Sequence, residues 1–235
     1  GGVTINFILA IIIYIGLAYS YGSSSISLDS IDDGFVITNP ILTEAGFKTG
    51  DKIITADGEK LETYSDLRKS IIGSTYYQVE RDGNVLEIQL PVDFLGKLSS
   101  SEDMSSFEFR MPFIIQSVSD ESLNKDYDIR QGDRIVSVNS QEIKYVDQLV
   151  PLLQQNSNRT IEVELIRDTF RIKKTLNVNE DGKIGIMPGA TVQNMVDLGL
   201  MKVSNNSYSF LESIAVGTNN FVSFMGFYFD QLVAI

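Results

Sequence analysis

Apolar and polar positions along this chain follow three different rhythms. From Val3 to Tyr19 ("VTINFILAIIIYIGLAY") the run is almost entirely apolar and carries no charge. At about 1.5 Å rise per residue such a helix crosses most of a hydrocarbon core of roughly 30 Å, which predicts a transmembrane helix over 1–21. A secretory signal peptide is the competing reading, because "AYS" at Ala18 to Ser20 has small-x-small spacing, yet neither an initiator Met nor a basic segment precedes the run. Between about 27 and 186 the pattern becomes short alternating runs broken by Gly, Asp and Asn, the signature of strands and tight turns. From Ser209 apolar residues return near helical spacing (Phe210, Ile214, Phe221, Phe224, Met225, Tyr228, Leu232), interrupted by Glu212, Asn219, Asn220, Asp230 and Gln231. This end is too polar for a clean span. It predicts an amphipathic helix over 209–235 that lies at the membrane surface or packs on other helices and leads into a membrane segment; a docking helix of a soluble domain is the alternative.

Within the alternating region one phrase occurs twice. "GFKTGDKIITADGEKLETYSDL" (Gly46–Leu67) returns as "DIRQGDRIVSVNSQEIKYVDQL" (Asp128–Leu149). Each copy reads as a Gly-Asp turn (Gly50-Asp51, Gly132-Asp133), a β-branched strand, a second turn (Asp57-Gly58, Asn139-Ser140) and a short return strand. A short helix follows in each: Thr63 and Asp66 have capping-box spacing, with Leu67 and Ile71 on one face, mirrored by Leu149 and Leu153. Each copy closes with a hairpin, turning at Asp82-Gly83 or at Asp168-Thr169, and opens with an apolar strand, "GFVIT" from Gly34 or "PFIIQSV" from Pro112. The expected class is α+β, with two small β-sandwich or barrel domains capped by helices: a first domain over 27–93, a linker over 94–110, a second domain over 111–186 and a connecting segment over 187–208.

Charge and composition narrow the chemistry. With 31 acidic against 19 basic residues the formal charge is -12, which repels phosphate backbones and excludes nucleic acid as a natural partner. The chain has no cysteine and no histidine, so it contains no disulfide, no Ser-His or Cys-His relay and no H-E-x-x-H zinc helix. The paired Gly-Asp sites invite comparison with two aspartates sharing a proton, but in aspartic proteases Gly follows the acid, whereas here it precedes Asp51 and Asp133; turn formation accounts for both. The acidic clusters Asp29 to Asp33, Glu102-Asp103 and Asp120-Glu121 read as solvated loops.

A sheet edge beside a helix accepts an extended peptide as an added strand. The candidate groove residues are Phe35 and Ile37 with Leu67 and Ile71 in the first copy, and Phe113 and Ile115 with Leu149 and Leu153 in the second; the plain alternative is that all eight are core. Pro151 falls inside the second helix and disturbs that groove. The order of elements around "EAGFKTGDKIITADG" resembles the bacterial, circularly permuted PDZ domain, and the second copy departs from it at "YDI" and Ser140. The resemblance implies peptide binding.

An apolar helix, tandem PDZ-like domains and a returning membrane-like segment together resemble the central part of the site-2 protease family, zinc-dependent intramembrane proteases that include the bacterial regulator of sigma-E protease. "GGVTINFILA" carries a G-x-x-x-N step, Gly2 to Asn6, similar to the family's second transmembrane helix, and "SFLESIAVG" with "FMGFYFDQL" resembles the approach to its third. Small-residue packing is the plain account of Gly2 and Asn6. The resemblance implies a bacterial inner-membrane enzyme of regulated intramembrane proteolysis that cleaves single-span proteins, such as a trimmed anti-sigma factor. Its zinc would be held by H-E-x-x-H and L-D-G motifs that are not in this sequence, so no catalytic residue and no metal ligand is expected in this chain, which reads as a piece beginning in the second membrane helix. Gly2 and Asn6 are expected to position substrate, the Asn6 amide bonding an extended backbone. The chain is expected to contact membrane lipid, and its PDZ-like domains, on the periplasmic side, are expected to gate the site, by excluding bulky substrates or by binding a newly made C-terminus. Two alternatives stay open: a membrane-tethered tandem PDZ scaffold, and a serine protease of the high-temperature-requirement type, against which the second membrane-like end speaks.

Overall fold

Alternation with period two produces two four-stranded antiparallel sheets. In the computed structural model, which describes residues 2–100 and 106–233, the chain runs through α1 (Gly2–Tyr21), β1 (Ser23–Ile26), β2 (Phe35–Val36), α2 (Pro40–Ala45), β3 (Lys52–Ala56), β4 (Glu59–Lys60), α3 (Tyr64–Ser70), β5 (Tyr76–Arg81), β6 (Asn84–Gln89) and α4 (Phe94–Ser100). It continues through β7 (Glu108–Phe109), β8 (Ile115–Val118), β9 (Arg134–Val138), β10 (Gln141–Glu142), α5 (Val146–Gln155), β11 (Thr160–Arg167), β12 (Phe170–Asn177), β13 (Ile186–Pro188), α6 (Val192–Asp197), β14 (Val203–Asn206) and α7 (Phe210–Val233). Two compact units result: Gly1–Asp32, Thr38–Ser106 and Met201–Ile235 form the first, and Asp33–Ile37 with Phe107–Leu200 the second.

The first unit holds the sheet β4-β3-β5-β6. Ile53 and Ala56 of β3 and Tyr77 and Val79 of β5 point to its buried face, and Phe47 meets the Tyr77 ring edge-on at 5.6 Å. The α3 cap forms as its spacing requires: the Asp66 N–H donates to Thr63 Oγ1 at 3.2 Å and the Thr63 N–H to Asp66 Oδ2 at 3.0 Å. Residues 94–100, within the expected linker, are helical and bury Phe94 and Leu98.

Two strands tie the helices at the chain's ends to this unit, since β1 pairs antiparallel with β14 from Ser23↔Asn206 to Ile26↔Val203. Gly22 ends α1 at φ 67, where a Cβ would lie 2.0 Å from the Asn206 carbonyl oxygen, so only glycine fits the turn. α1 and α7 then run antiparallel against each other. A Cβ on Gly217 would lie 2.5 Å from the Ile15 Cα, a backbone-to-backbone approach, and Phe221 packs on Phe7 at 5.3 Å and Tyr14 at 5.8 Å. On α7 Phe210, Ile214, Phe224 and Tyr228 are exposed, Phe221 is buried, and the inward stripe is made by Ser213, Gly217 and Phe221. The Leu232 side chain lies outside the described residues.

The second unit repeats the first sheet as β10-β9-β11-β12 and adds the pairs β13-β8 and β2-β7. Its core gathers Phe113, Ile115, Ile135, Leu149, Leu153, Val163, Leu165, Leu176, Ile184 and Ile186, among others. α5 continues through Pro151 to Gln155. The strand expected to open the first copy, "GFVIT", instead pairs Phe35 with Phe109 and Val36 with Glu108 in the second unit. Both four-stranded sheets are open, so the expected barrel does not form among the described residues.

Candidate functional site

The duplicated Gly-Asp phrase builds the same clamp twice. In the first unit the Asp51 carboxylate, fully buried, accepts Arg81 Nε at 2.6 Å and Nη2 at 2.7 Å, and the Lys48 N–H at 2.8 Å. In the second, Asp133 accepts Arg167 Nε and Nη2, both at 2.8 Å, and the Arg130 N–H at 2.9 Å. Burial alone raises the Asp133 carboxyl, but the Arg167 bonds, the Arg130 N–H and the Arg167 charge outweigh it and hold the group below the ordinary carboxylate range. Its neighbour Asp128, bonded by Arg167 and Arg130, is pulled down to about 2. Each bidentate fork fastens the strand after the Gly-Asp turn to the far end of the closing hairpin. Both carboxylates are taken up by these forks, so they act as positioning groups. The sequence reading saw only the turns; the signal it passed over is the Arg that directly precedes each hairpin turn, Arg81 before Asp82 and Arg167 before Asp168.

The acidic segment before β2 is not simply solvated. Asp33 is ion-paired with Lys144 and accepts the Tyr145 hydroxyl at 2.6 Å, while Arg110 spans to Asp147 at 2.6 Å, donates to the Asp33 carbonyl at 3.1 Å and stacks over the Tyr145 ring at 4.7 Å. Burial tends to raise the Asp33 carboxyl, and bonds from Lys144 and Tyr145 with the Lys144 and Arg110 charges bring it below its ordinary value. Burial, then the Asp33 hydrogen bond, push the Tyr145 hydroxyl upward. Asp29 likewise bonds Lys60 at 2.9 Å. Glu102-Asp103 lies outside the described residues.

In the second unit β10, β12 and β13 each have a side that pairs with no strand among the described residues, and β13 is the one entered from the loop over 182–185. It pairs with β8 along one edge, and among the described residues no strand pairs with the other. Ile186 shares its core with Leu149 and Leu153 of α5, so strand and helix flank one floor, while Met187 and Val150 are 57% and 45% exposed. The loop into β13 is fixed at both sides. A Cβ on Gly182 would lie 2.9 Å from the Gln154 Cα of α5, and the Ile184 carbonyl accepts Ser122 Oγ at 2.8 Å and Asn124 Nδ2 at 2.9 Å. Asn124, fully buried, also donates to the Asn177 carbonyl at 2.8 Å and accepts the Asn177 N–H at 2.8 Å. An open strand edge over an apolar floor, entered from a rigid loop, is the geometry that takes an added peptide strand.

All eight groove candidates are packed inward, none more than 9% exposed. Phe113, Ile115, Leu149 and Leu153 come together in one cluster. Phe35 and Ile37 belong to the second unit, and Leu67 and Ile71 to the first. Gly2 and Asn6 sit on exposed early turns of α1, and a Cβ added at Gly2 would meet nothing within 4 Å among the described residues. The β13 edge and the Ser122-Asn124 latch were missed; "DGKIGIMP", Asp181 to Pro188, was the available signal, with glycines flanking an apolar pair.

A zinc ion would find no home in these residues: the sequence offers no imidazole or thiolate, and among the described residues no group of three or more carboxylates converges to hold a metal. No protein-family model matches the chain. Curated relatives do match in part. A Staphylococcus aureus (strain N315) protein is 30% identical over 93 residues, 38% of this chain and 21% of that protein. One from Helicobacter pylori (strain ATCC 700392 / 26695) is 30% identical over 106 residues, 44% and 29%, and one from Brucella suis biovar 1 (strain 1330) is 32% identical over 92 residues, 37% and 24%. Each bears the name "Putative zinc metalloprotease". The match thus spans less than a third of the length of these relatives. Among solved structures, the PDZ domain of an SdrC-like protein from Listeria monocytogenes aligns with 35% of this chain and 88% of that domain, at 16% identity and a TM-score of 0.29. The chain is a mixed α+β protein with one N-terminal apolar helix, related over part of its length to proteins named as zinc metalloproteases.

Proposed function

We propose that this chain is the substrate-gating and positioning region of a membrane-bound zinc endopeptidase of the site-2 protease type, with two PDZ-like units on the extracytoplasmic side of a bacterial inner membrane. The observation that carries the reading is the conjunction of an apolar α1, antiparallel α7 and a duplicated sheet-and-helix unit in a chain related to proteins named as zinc metalloproteases. Substrates of this reading are single-span membrane proteins, of the anti-sigma-factor kind, already trimmed outside the membrane. The units screen them by excluding bulky outer domains, and the open β13 edge supports direct contact with an extended end. Zinc and its ligands belong to other parts of the whole protein, and Asn6 meets the substrate backbone there.

Three measurements on the complete protein test this. Metal analysis in detergent is expected to give about one tightly bound zinc per chain; a folded, zinc-free protein would favour a tethered PDZ scaffold. Deleting Phe35 to Asp168 is expected to let untrimmed substrates be cut, and continued dependence on trimming would count against gating. Asn6→Ala is expected to slow cleavage of a model substrate, and a wild-type rate removes Asn6 from the proposal.

A further inference from the structure

Within the first unit α1, β1, α3 and α7 enclose an open cavity of about 680 Å³. Its upper wall carries Arg68 and Lys69 of α3, and its lower wall Tyr14 of α1 with Asn220 and Phe224 of α7. No carboxylate among the described residues lines it, although the chain carries a net charge of -12. Among the described residues neither cation is engaged in an ion pair, whereas eleven other basic side chains have carboxylate partners. Tyr14 lies seven positions before the last residue of α1, so at about 1.5 Å per residue the cavity follows the helix for roughly 10 Å below its end. The outward surface of α1 beside it is apolar and exposed, including Ile8, Ile12 and Ile13.

We infer that this cavity is a binding site for one anionic phospholipid, its phosphate between Arg68 and Lys69 and its glycerol and first methylenes against Tyr14 and Phe224. Two unpaired cations above an aromatic and apolar lower wall match a lipid at the headgroup boundary in charge and in depth. An acidic peptide matches the cations but not the apolar wall. The inference rests on α1 spanning the membrane, and the experiment separates the two failures.

The full chain is placed in nanodiscs of phosphatidylcholine with a minority of phosphatidylglycerol, and spin-labelled versions of each lipid report the fraction immobilised on the protein. The wild type is expected to hold phosphatidylglycerol over phosphatidylcholine by about fivefold, the factor given by one cation at an anionic surface. Arg68→Gln with Lys69→Gln should reduce the preference to about one, while Lys48→Gln with Lys125→Gln, equal in charge change, and the exchange Arg68→Lys with Lys69→Arg should keep it. Immobilised lipid without preference overturns the cavity's role and leaves the span intact. No immobilised lipid of either kind overturns the span, and the inference with it. A preference that survives Arg68→Gln with Lys69→Gln, or that an acidic peptide displaces, also overturns it.

Discussion

Removing the Asn124 amide tests whether the loop into β13 is latched as its geometry states. Asn124 joins two main-chain groups of Asn177 to the Ile184 carbonyl through three hydrogen bonds of 2.8, 2.9 and 2.8 Å. The Val178 N–H is the group that reaches back to the Arg159 carbonyl, so by the alternation of an antiparallel ladder the Asn177 N–H and carbonyl point away from β11 and depend on Asn124. Asn124→Ala leaves both without a partner, while the Ile184 carbonyl keeps Ser122. At about 1–3 kcal/mol per orphaned buried group, reduced because Asn177 is half-buried, the cost is about 3 kcal/mol. For a domain of 60–100 residues that lowers Tm by roughly 12–24 °C.

Asn124→Asp makes the sharper test. At neutral pH it turns a carboxylate oxygen towards the two carbonyls that the amide served, so it should cost more than Asn124→Ala. Burial and those carbonyls raise the introduced group's pKa above its unfolded value of about 3.9. A raised folded pKa means that protonation favours the folded form, so the deficit should shrink as pH falls from 7 through that pKa, when the new hydroxyl donates to one carbonyl. Urea unfolding followed by circular dichroism gives the free energies, and hydrogen exchange should show faster opening at Ile184 to Met187. An Asn124→Ala cost below about 1 kcal/mol, or equal costs for Ala and Asp at pH 7, would refute the latch.

Ser140 holds φ 68 where the first copy has Gly58 at φ 85, so Ser140→Gly should stabilise the second unit by about 0.5–1 kcal/mol in the same unfolding assay. Arg167→Met should let Asp128 and Asp133 titrate nearer the ordinary carboxylate range, read by carboxyl NMR. Both carboxyls are depressed in the fold, so their stabilisation is present above about pH 4 and lost as pH falls towards 2; the variant's acid limb should be the shallower one. Gly217→Val should force α1 and α7 apart, since even a Cβ there meets the Ile15 backbone. With the chain free of cysteine, a pair introduced at Tyr19 and Phe210 should lose bifunctional cross-linking in that variant, and an unchanged yield would contradict the packing.

What was legible in the sequence is what neighbouring residues decide. The two Asp-Gly turns, Asn139-Ser140 and the Thr63-Asp66 cap are local chemistry, and each forms where its residues stand. Pairing over distance was not legible in the same way. Asp51 finds Arg81 and Asp133 finds Arg167 across a helix and a strand, and two-residue strands such as β2 carry no period from which a partner can be read. The β13 edge was hidden for a different reason: Ile186 faces the core and Met187 the solvent, so a domain boundary placed between them cut the strand in two.

The side that α7 turns inward has a physical cause that bears on function. Hydrophobic periodicity locates a buried face only where water is the alternative, because burial of apolar area then supplies the driving force. Against lipid tails that force is absent, and helices meet where small residues let backbones approach. α7 behaves in the second way, turning Ser213 and Gly217 towards α1 and leaving Phe210, Leu211, Ile214, Val222 and Phe224 outward. α1 does likewise, with Ala18 buried and Val3, Ile5, Ile8, Leu9, Ile12 and Ile13 exposed. The large apolar residues left exposed on both helices support the membrane setting proposed for them. In the reading proposed above, α7, with its Asn219 and Asn220, belongs with α1 in the membrane, and the Asn220 and Arg68 walls of one cavity lie at its boundary.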